Sequence, residues 1–183
     1  MTYTLESASI TALDTIPVLK PDAGQGAPTE DKELNDYVAF TTGQLGSTST
    51  TANILRLPTT AKVNRLRIDT DVALDSGGSP SLAFNVGLAY SDAPVGGVLD
   101  GTQPSLAGTS ISATAFASAQ AVGAKTRALD ISPSVVNKQK PLWQGVAGLA
   151  SDPGGFFDIY ITVEATPETA VAGNFGLEVE YSY

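Results

Sequence analysis

The sequence predicts an all-β chain, an antiparallel β-sandwich or jelly roll with an extended N-terminal arm. The closing stretch GFFDIYITVEATPETAVAGNFGLEVEYSY alternates twice with the period of two that half-buried strands show. Seven or eight short strand candidates recur along the chain, separated by Gly, Pro, Asp and Ser. Almost nothing carries helical periodicity, and many short strands with turn punctuation pack as two sheets. The chain shows no internal repeat.

Residues 1–36 read as an extended arm and linker, and residues 37–183 as the β domain. The first segment holds seven acids (Glu6, Asp14, Asp22, Glu30, Asp31, Glu33, Asp36) against two bases (Lys20, Lys32). Its PDAGQGAPTEDKE run is polar, rich in Pro and Gly, and aperiodic, as linkers are. Before it, YTLESASITALDTIPVL has enough Leu, Ile and Val to dock on a neighbouring surface. The apolar residues Ile10, Leu13, Ile16 and Val18 are the candidates for that contact. A first strand of the same domain is the alternative reading.

The domain opens with YVAF, a short strand candidate, and continues with ANILRLP, stopped by Pro58. VNRLRIDTDVAL alternates over a longer stretch. Leu66, Ile68, Val72 and Leu74 share one face, and Arg65, Arg67, Asp69 and Asp71 the other. DSGGSP is a turn. In SLAFNVGLAY, Leu82, Phe84, Val86, Leu88 and Tyr90 point inward. The opposite face has only Ala83, Asn85, Gly87 and Ala89, so it is expected to be covered as well. Residues 91–110 read as loop. The Ala-rich SATAFASAQAV predicts one short helix, because alanine favours helices. KTRALDIS reads as a strand ended by Pro133, and LWQGVAGLAS as either a strand or a packed loop. DPGG is a turn. The two closing strands, near 156–165 and 175–183, are expected to pair as an antiparallel hairpin with Phe157, Ile159, Ile161, Val163, Leu177 and Val179 buried.

Composition narrows the chemistry. The chain has 183 residues, enough to bury a core without staples. It has no Cys, which removes disulfides, thiolate catalysis and Cys-ligated zinc. It has no His, the commonest general base and metal ligand. Its charge of −9, from 19 acids and 10 bases, opposes phosphate neutralisation, so no nucleic-acid partner is expected. No apolar run reaches the length of a membrane helix, and MTYTLESASI lacks the basic and apolar regions of a secretory signal.

Each candidate site has a plain structural alternative. Glu178 and Glu180 lie two apart on one strand face, with Asp158 and Glu164 on the strand expected beside it. That spacing suits a carboxylate pair for glycoside hydrolysis, but alternating acids also describe any solvated strand face. Asp69, Asp71 and Asp75 offer clustered oxygens for calcium. Cross-strand charge pairing with Arg65 and Arg67 explains them more simply. There is no Ser-nucleophile elbow, Walker motif or dinucleotide fingerprint. Trp143 is either a sugar-stacking platform or, preferably, a core or interface anchor. Lys62, Arg65 and Arg67 form the only basic cluster, either a solvated face or a docking patch for an acidic partner. No catalytic residue, cofactor or metal is expected.

Two stretches add a resemblance. RLPTTAKVNRLRIDTDVALDSGGSPSLAFNVGLAYSD runs a strand ending in Leu-Pro into a charged strand, a Gly-Gly turn and an apolar strand with Val-Gly. ITVEATPETAVAGNFGLEVEY closes with a Thr-Val strand, an Ala/Thr-rich turn and a strand ending in an acid and Tyr. Together, over roughly residues 50–183, these resemble small structural proteins of tailed-bacteriophage heads, especially capsid decoration (cement) proteins. The resemblance implies a jelly-roll-like domain, often trimeric, seated on the outer capsid where capsomers meet. Its partner would be the major capsid protein, and it would be made in the host cytoplasm and carried on the virion. It implies no catalytic residues. The alternative is a carbohydrate-binding or host-attachment module of a head or tail fibre, with Trp143, Tyr160 and Tyr183 as its groove aromatics.

Overall fold

The computed structural model describes residues 3–8, 10, 31–91 and 108–183. The nine strands among the described residues form two facing sheets. The five-stranded sheet has the order β1 (Tyr3–Glu6), β3 (Thr50–Pro58), β8 (Phe156–Ala165), β5 (Ala83–Tyr90) and β6 (Ser110–Ala121). The four-stranded sheet has the order β2 (Lys32–Phe40), β9 (Gly173–Ser182), β4 (Lys62–Thr70) and β7 (Leu129–Asp130). All neighbours pair antiparallel except β1 and β3. The single-turn helices α1 (Thr42–Leu45), α2 (Val135–Lys138) and α3 (Leu142–Gly145) sit in connections. The fold is the expected β-sandwich.

The core lies between the sheets, where β2, β3, β4, β5, β8 and β9 turn apolar side chains inward. Phe84 of β5 meets Phe175 of β9 and Phe40 of β2, with ring centroids 4.9 and 5.7 Å apart. These three rings join the two layers, and Phe84 and Phe175 are fully buried.

Several expectations change here. The closing strands do not form a hairpin. β8 pairs with β3 and β5, whereas β9 pairs with β2 and β4. They face each other across the core, so Phe157, Ile159, Ile161, Val163, Leu177 and Val179 are all buried as expected. Alternation decides which face is buried, and it leaves the hydrogen-bonding partner open. Among the described strands, only β5 and β6 follow one another within a sheet.

SATAFASAQAV is strand β6, not a helix. Alanine's preference is weak beside a waiting strand edge on β5. β6 also arches. Val86 faces Ala117 and Leu88 faces Ser112, so β6 spends five residues where β5 spends two. Asn85 fastens the arch by accepting from the Ala119 N–H at 2.8 Å and donating to Glu164 at 2.6 Å. This arch, with the Tyr160 ring, covers the outer face of β5. A Cβ at Gly87 would lie 2.7 Å from the Ser112 carbonyl oxygen and 2.8 Å from Tyr160 Cζ, so only glycine fits there.

The KTRALDIS strand shrinks to the two residues of β7, and LWQGVAGLAS forms α3 followed by a packed loop. Val72 lies beyond the end of β4 and is exposed, not inward. β2 begins at Lys32, taking in residues that the sequence reading gives to the arm, because β9 offers it partners from Tyr181 to Gly173. Residues 3–6 extend the five-stranded sheet as its edge strand β1, which is the first-strand alternative for that stretch.

Asp75 closes one end of the sandwich. Its side chain accepts backbone N–H groups of Gly77, Ser81 and Leu82 from its own loop and of Glu168 and Thr169 from the β8–β9 connection, at 2.8–3.3 Å. Its own N–H donates to the carbonyl of Gly123, just beyond β6. Burial opposes ionisation, but the N–H donors of Thr169, Ser81, Gly77 and Glu168 outweigh it and hold the carboxyl well below the usual carboxylate range. A carboxyl depressed in the folded state stabilises above its unfolded pKa, and that contribution fades as pH falls below it. Asp75→Asn is therefore expected to lower unfolding free energy by about 3 kcal/mol at neutral pH, since it leaves buried N–H groups unpaired. Denaturant titrations should show that deficit constant at neutral pH and shrinking below about pH 4. A deficit independent of pH would contradict this role.

Candidate functional site

The outer face of the four-stranded sheet is the most chemically varied described surface. Alternation brings β2, β9 and β4 side chains into register across it. One row is Asn35, Glu178 and Arg67, and the next is Tyr37, Gly176 and Asp69. The row beyond is Ala39, Asn174 and Asp71, with Asp71 N–H bonded to the Asn174 carbonyl.

The basic cluster falls on this face. Arg65 pairs with Glu180, and Arg67 with Glu178 at 3.1 Å. The Arg partners are thus the β9 glutamates, not Asp69 and Asp71. Those aspartates bind backbone instead: Asp69 accepts from the Ala128 N–H, and Asp71 holds the N–H and side-chain amide of Asn174. Arg65 Nε is buried without a hydrogen-bond partner among the described residues. Lys62 stands opposite Ser182 at the end of the strand.

A catalytic carboxylate pair has no geometry to support it. Glu178 and Glu180 each face an arginine, and Asp158 and Glu164 belong to the other sheet. Asp158 makes a bidentate pair with Arg56 at 2.6 and 2.8 Å, and both residues are buried. Asp75 stands apart from Asp69 and Asp71 in role, and among the described residues no group of acids is placed to hold a metal ion.

The aromatic candidates scatter. Trp143 is half-buried against the core on α3, and its backbone N–H donates to the Thr59 carbonyl, which fastens α3 to the β3–β4 corner. Tyr160 is buried, its hydroxyl 2.7 Å from Ser110 Oγ. Tyr183 stacks edge-on against Tyr181 and carries the Lys32 ammonium 4.5 Å above its ring. Burial, with Tyr183 beside it, pushes the Tyr181 phenol up to about 12. Of the apolar arm residues, Ile10 is fully buried, while Leu13, Ile16 and Val18 lie outside the described residues.

Sequence reading missed Tyr37, the most exposed described aromatic at 61%. It sits inside YVAF, where an aromatic reads as core. Its exposure comes with its register opposite Gly176, since a strand glycine leaves its neighbours uncovered, and nothing in the sequence gives that register. No described helix is long and apolar enough to cross a membrane.

No protein-family model matches the chain, and no curated protein matches it. Solved structures share the fold. A chain from the capsid of Ralstonia phage GP4 aligns with a TM-score of 0.64 at 17% identity, covering 98% of this chain and 97% of that one. A chain from the cyanophage Pam1 capsid asymmetric unit aligns with a TM-score of 0.54 at 21% identity, covering 88% and 90%.

The Arg67–Glu178 pair is about a quarter exposed on each side, so water screens it. Glu178→Gln is expected to change unfolding free energy by less than about 1 kcal/mol in urea titrations. A loss above about 2 kcal/mol would make this pair part of the frame rather than of the surface.

Proposed function

We propose that this chain is a decoration (cement) protein of a phage head. It binds the major capsid protein on the outer surface where capsomers meet, and stabilises the shell by contact. The observation that carries this reading is the near-complete mutual coverage with a chain of a phage capsid at a shared fold. The chemistry agrees. Asp71, Asp75, Asp158 and Glu178 are engaged by backbone N–H groups, an amide or arginines, which suits structural partners rather than a reaction centre.

The contact surfaces lie at two places. Val135 and Val136 on α2 are 74% and 64% exposed, with Lys138 and Lys140 close behind. An exposed apolar pair beside two cations suits an acidic, partly apolar partner surface. The apolar run of the N-terminal segment, with Leu13, Ile16 and Val18, reaches a neighbouring subunit. On this reading the assembled form is a homotrimer on the virion, stabilised by mass action at the particle.

Purified chain added to heads lacking it is expected to co-sediment with them and to raise the temperature at which they rupture. Val136→Glu should weaken that binding at least about tenfold without altering the isolated protein's melting, because the side chain is exposed. Failure to co-sediment, with an 18.8 kDa monomer at every concentration, would overturn the reading.

A further inference from the structure

The outer face of the four-stranded sheet has a hole at its centre. The middle row reads Tyr37, Gly176, Asp69, so its central position has no side chain. Glycine inside a strand costs backbone entropy and normally has a reason. At Gly87 the reason is internal, because a Cβ would strike Ser112 and Tyr160. At Gly176 it is not. A Cβ there would lie 3.4 Å from the Asp36 carbonyl oxygen and 3.6 Å from Tyr37 Cβ, which is ordinary contact. Its φ is not among the positive values either. What glycine supplies at 176 is space on the outside.

That space is an open hollow of about 360 Å³ bounded by Tyr37, Asp69, Arg127 and Asn174. A second hollow of about 260 Å³ adjoins it and shares Tyr37, Asp69 and Gly176. The walls differ in chemistry. Tyr37 offers an exposed ring. Asp69 uses Oδ1 for the Ala128 N–H, which leaves Oδ2 as an acceptor. Asn174 gives Nδ2 to Asp71 and keeps its side-chain Oδ1. Arg127 is exposed and makes no ion pair or hydrogen bond among the described residues, so its guanidinium is a ready donor.

Three ligand classes fit poorly. An anion would meet Asp69, Asp71, Asp36 and Glu178 around the rim. A cation would meet Arg127 and find Glu178 already held by Arg67 and Asp71 by Asn174. A purely apolar group would leave Asp69 and Arg127 unpaired. A pyranose ring answers every wall, since its C–H face stacks on an aromatic ring while its hydroxyls both donate and accept. We propose that the slot over Gly176, between Tyr37 and Asp69, binds an uncharged hexose unit of a saccharide. This stands whether or not the chain sits on a particle.

The test is saturation-transfer NMR and calorimetry on the full chain. The probes are the methyl glycosides of glucose, galactose, mannose and N-acetylglucosamine, each at tens of millimolar. At least one is expected to bind, with transfer strongest to its ring C–H protons. Tyr37→Ala and Gly176→Val should each lower that affinity at least about tenfold. Melting should stay unchanged for Tyr37→Ala, an exposed position, even if valine at 176 perturbs the strand. Binding of no probe, or binding unaffected by Tyr37→Ala, would overturn the proposal. Capture of a lysine peptide that either variant abolishes would also overturn it, making the slot a receptor for basic side chains.

Discussion

One buried carboxylate holds the ends of three crossings together. The chain leaves the four-stranded sheet after β4 and returns to it before β9, and it leaves the five-stranded sheet after β6. All three passages meet at Asp75. A carboxylate in that position would be costly alone, but five N–H groups solvate it in place of water. The same bonds satisfy loop donors that would otherwise be buried unpaired. Further bonds tighten the junction: Ser76 N–H to the Thr169 carbonyl, Val171 N–H to the Leu74 carbonyl, and Ser81 Oγ to the Thr166 carbonyl.

With that end closed, the sheets stay in register and their outer faces take different roles. The outer face of β5 is sealed by the arch of β6 and the Tyr160 ring, with Asn85 locking the arch. The outer face of β9 is left open, lined with ion pairs at one end and hollow at Gly176. The frame thus presents one sealed and one open face. Surface ion pairs contribute little to folding and are free to serve recognition.

The sequence declared faces better than partners. Leu66 and Ile68, Phe84 to Leu88, and Phe157 to Val163 are buried as their alternation requires. Alternation contains nothing about which strand lies alongside, so β8 and β9 were joined by proximity in the chain when their true partners are distant. The helix reading of β6 failed for a related reason, because alanine's local preference is small beside an edge that needs a partner. Asp75 was legible as an acid in a Gly-rich turn but not as a hub, since its donors Glu168 and Thr169 lie more than ninety residues away. The arginine cluster was read on the correct face, yet its counter-charges were sought on β4 when β9 supplies them. Tyr37 was given no face, because the four residues of YVAF offer too few alternations to assign its parity.

Native-state hydrogen exchange on the amides of Gly77, Ser81, Glu168 and Thr169 tests the central claim most directly, since each donates to Asp75. If Asp75 closes the sandwich, these loop amides exchange only through global unfolding, as slowly as the central amides of β9. Exchange orders of magnitude faster than β9, through local opening of the loops, would show that the end of the sandwich stands without the carboxylate and would contradict the account.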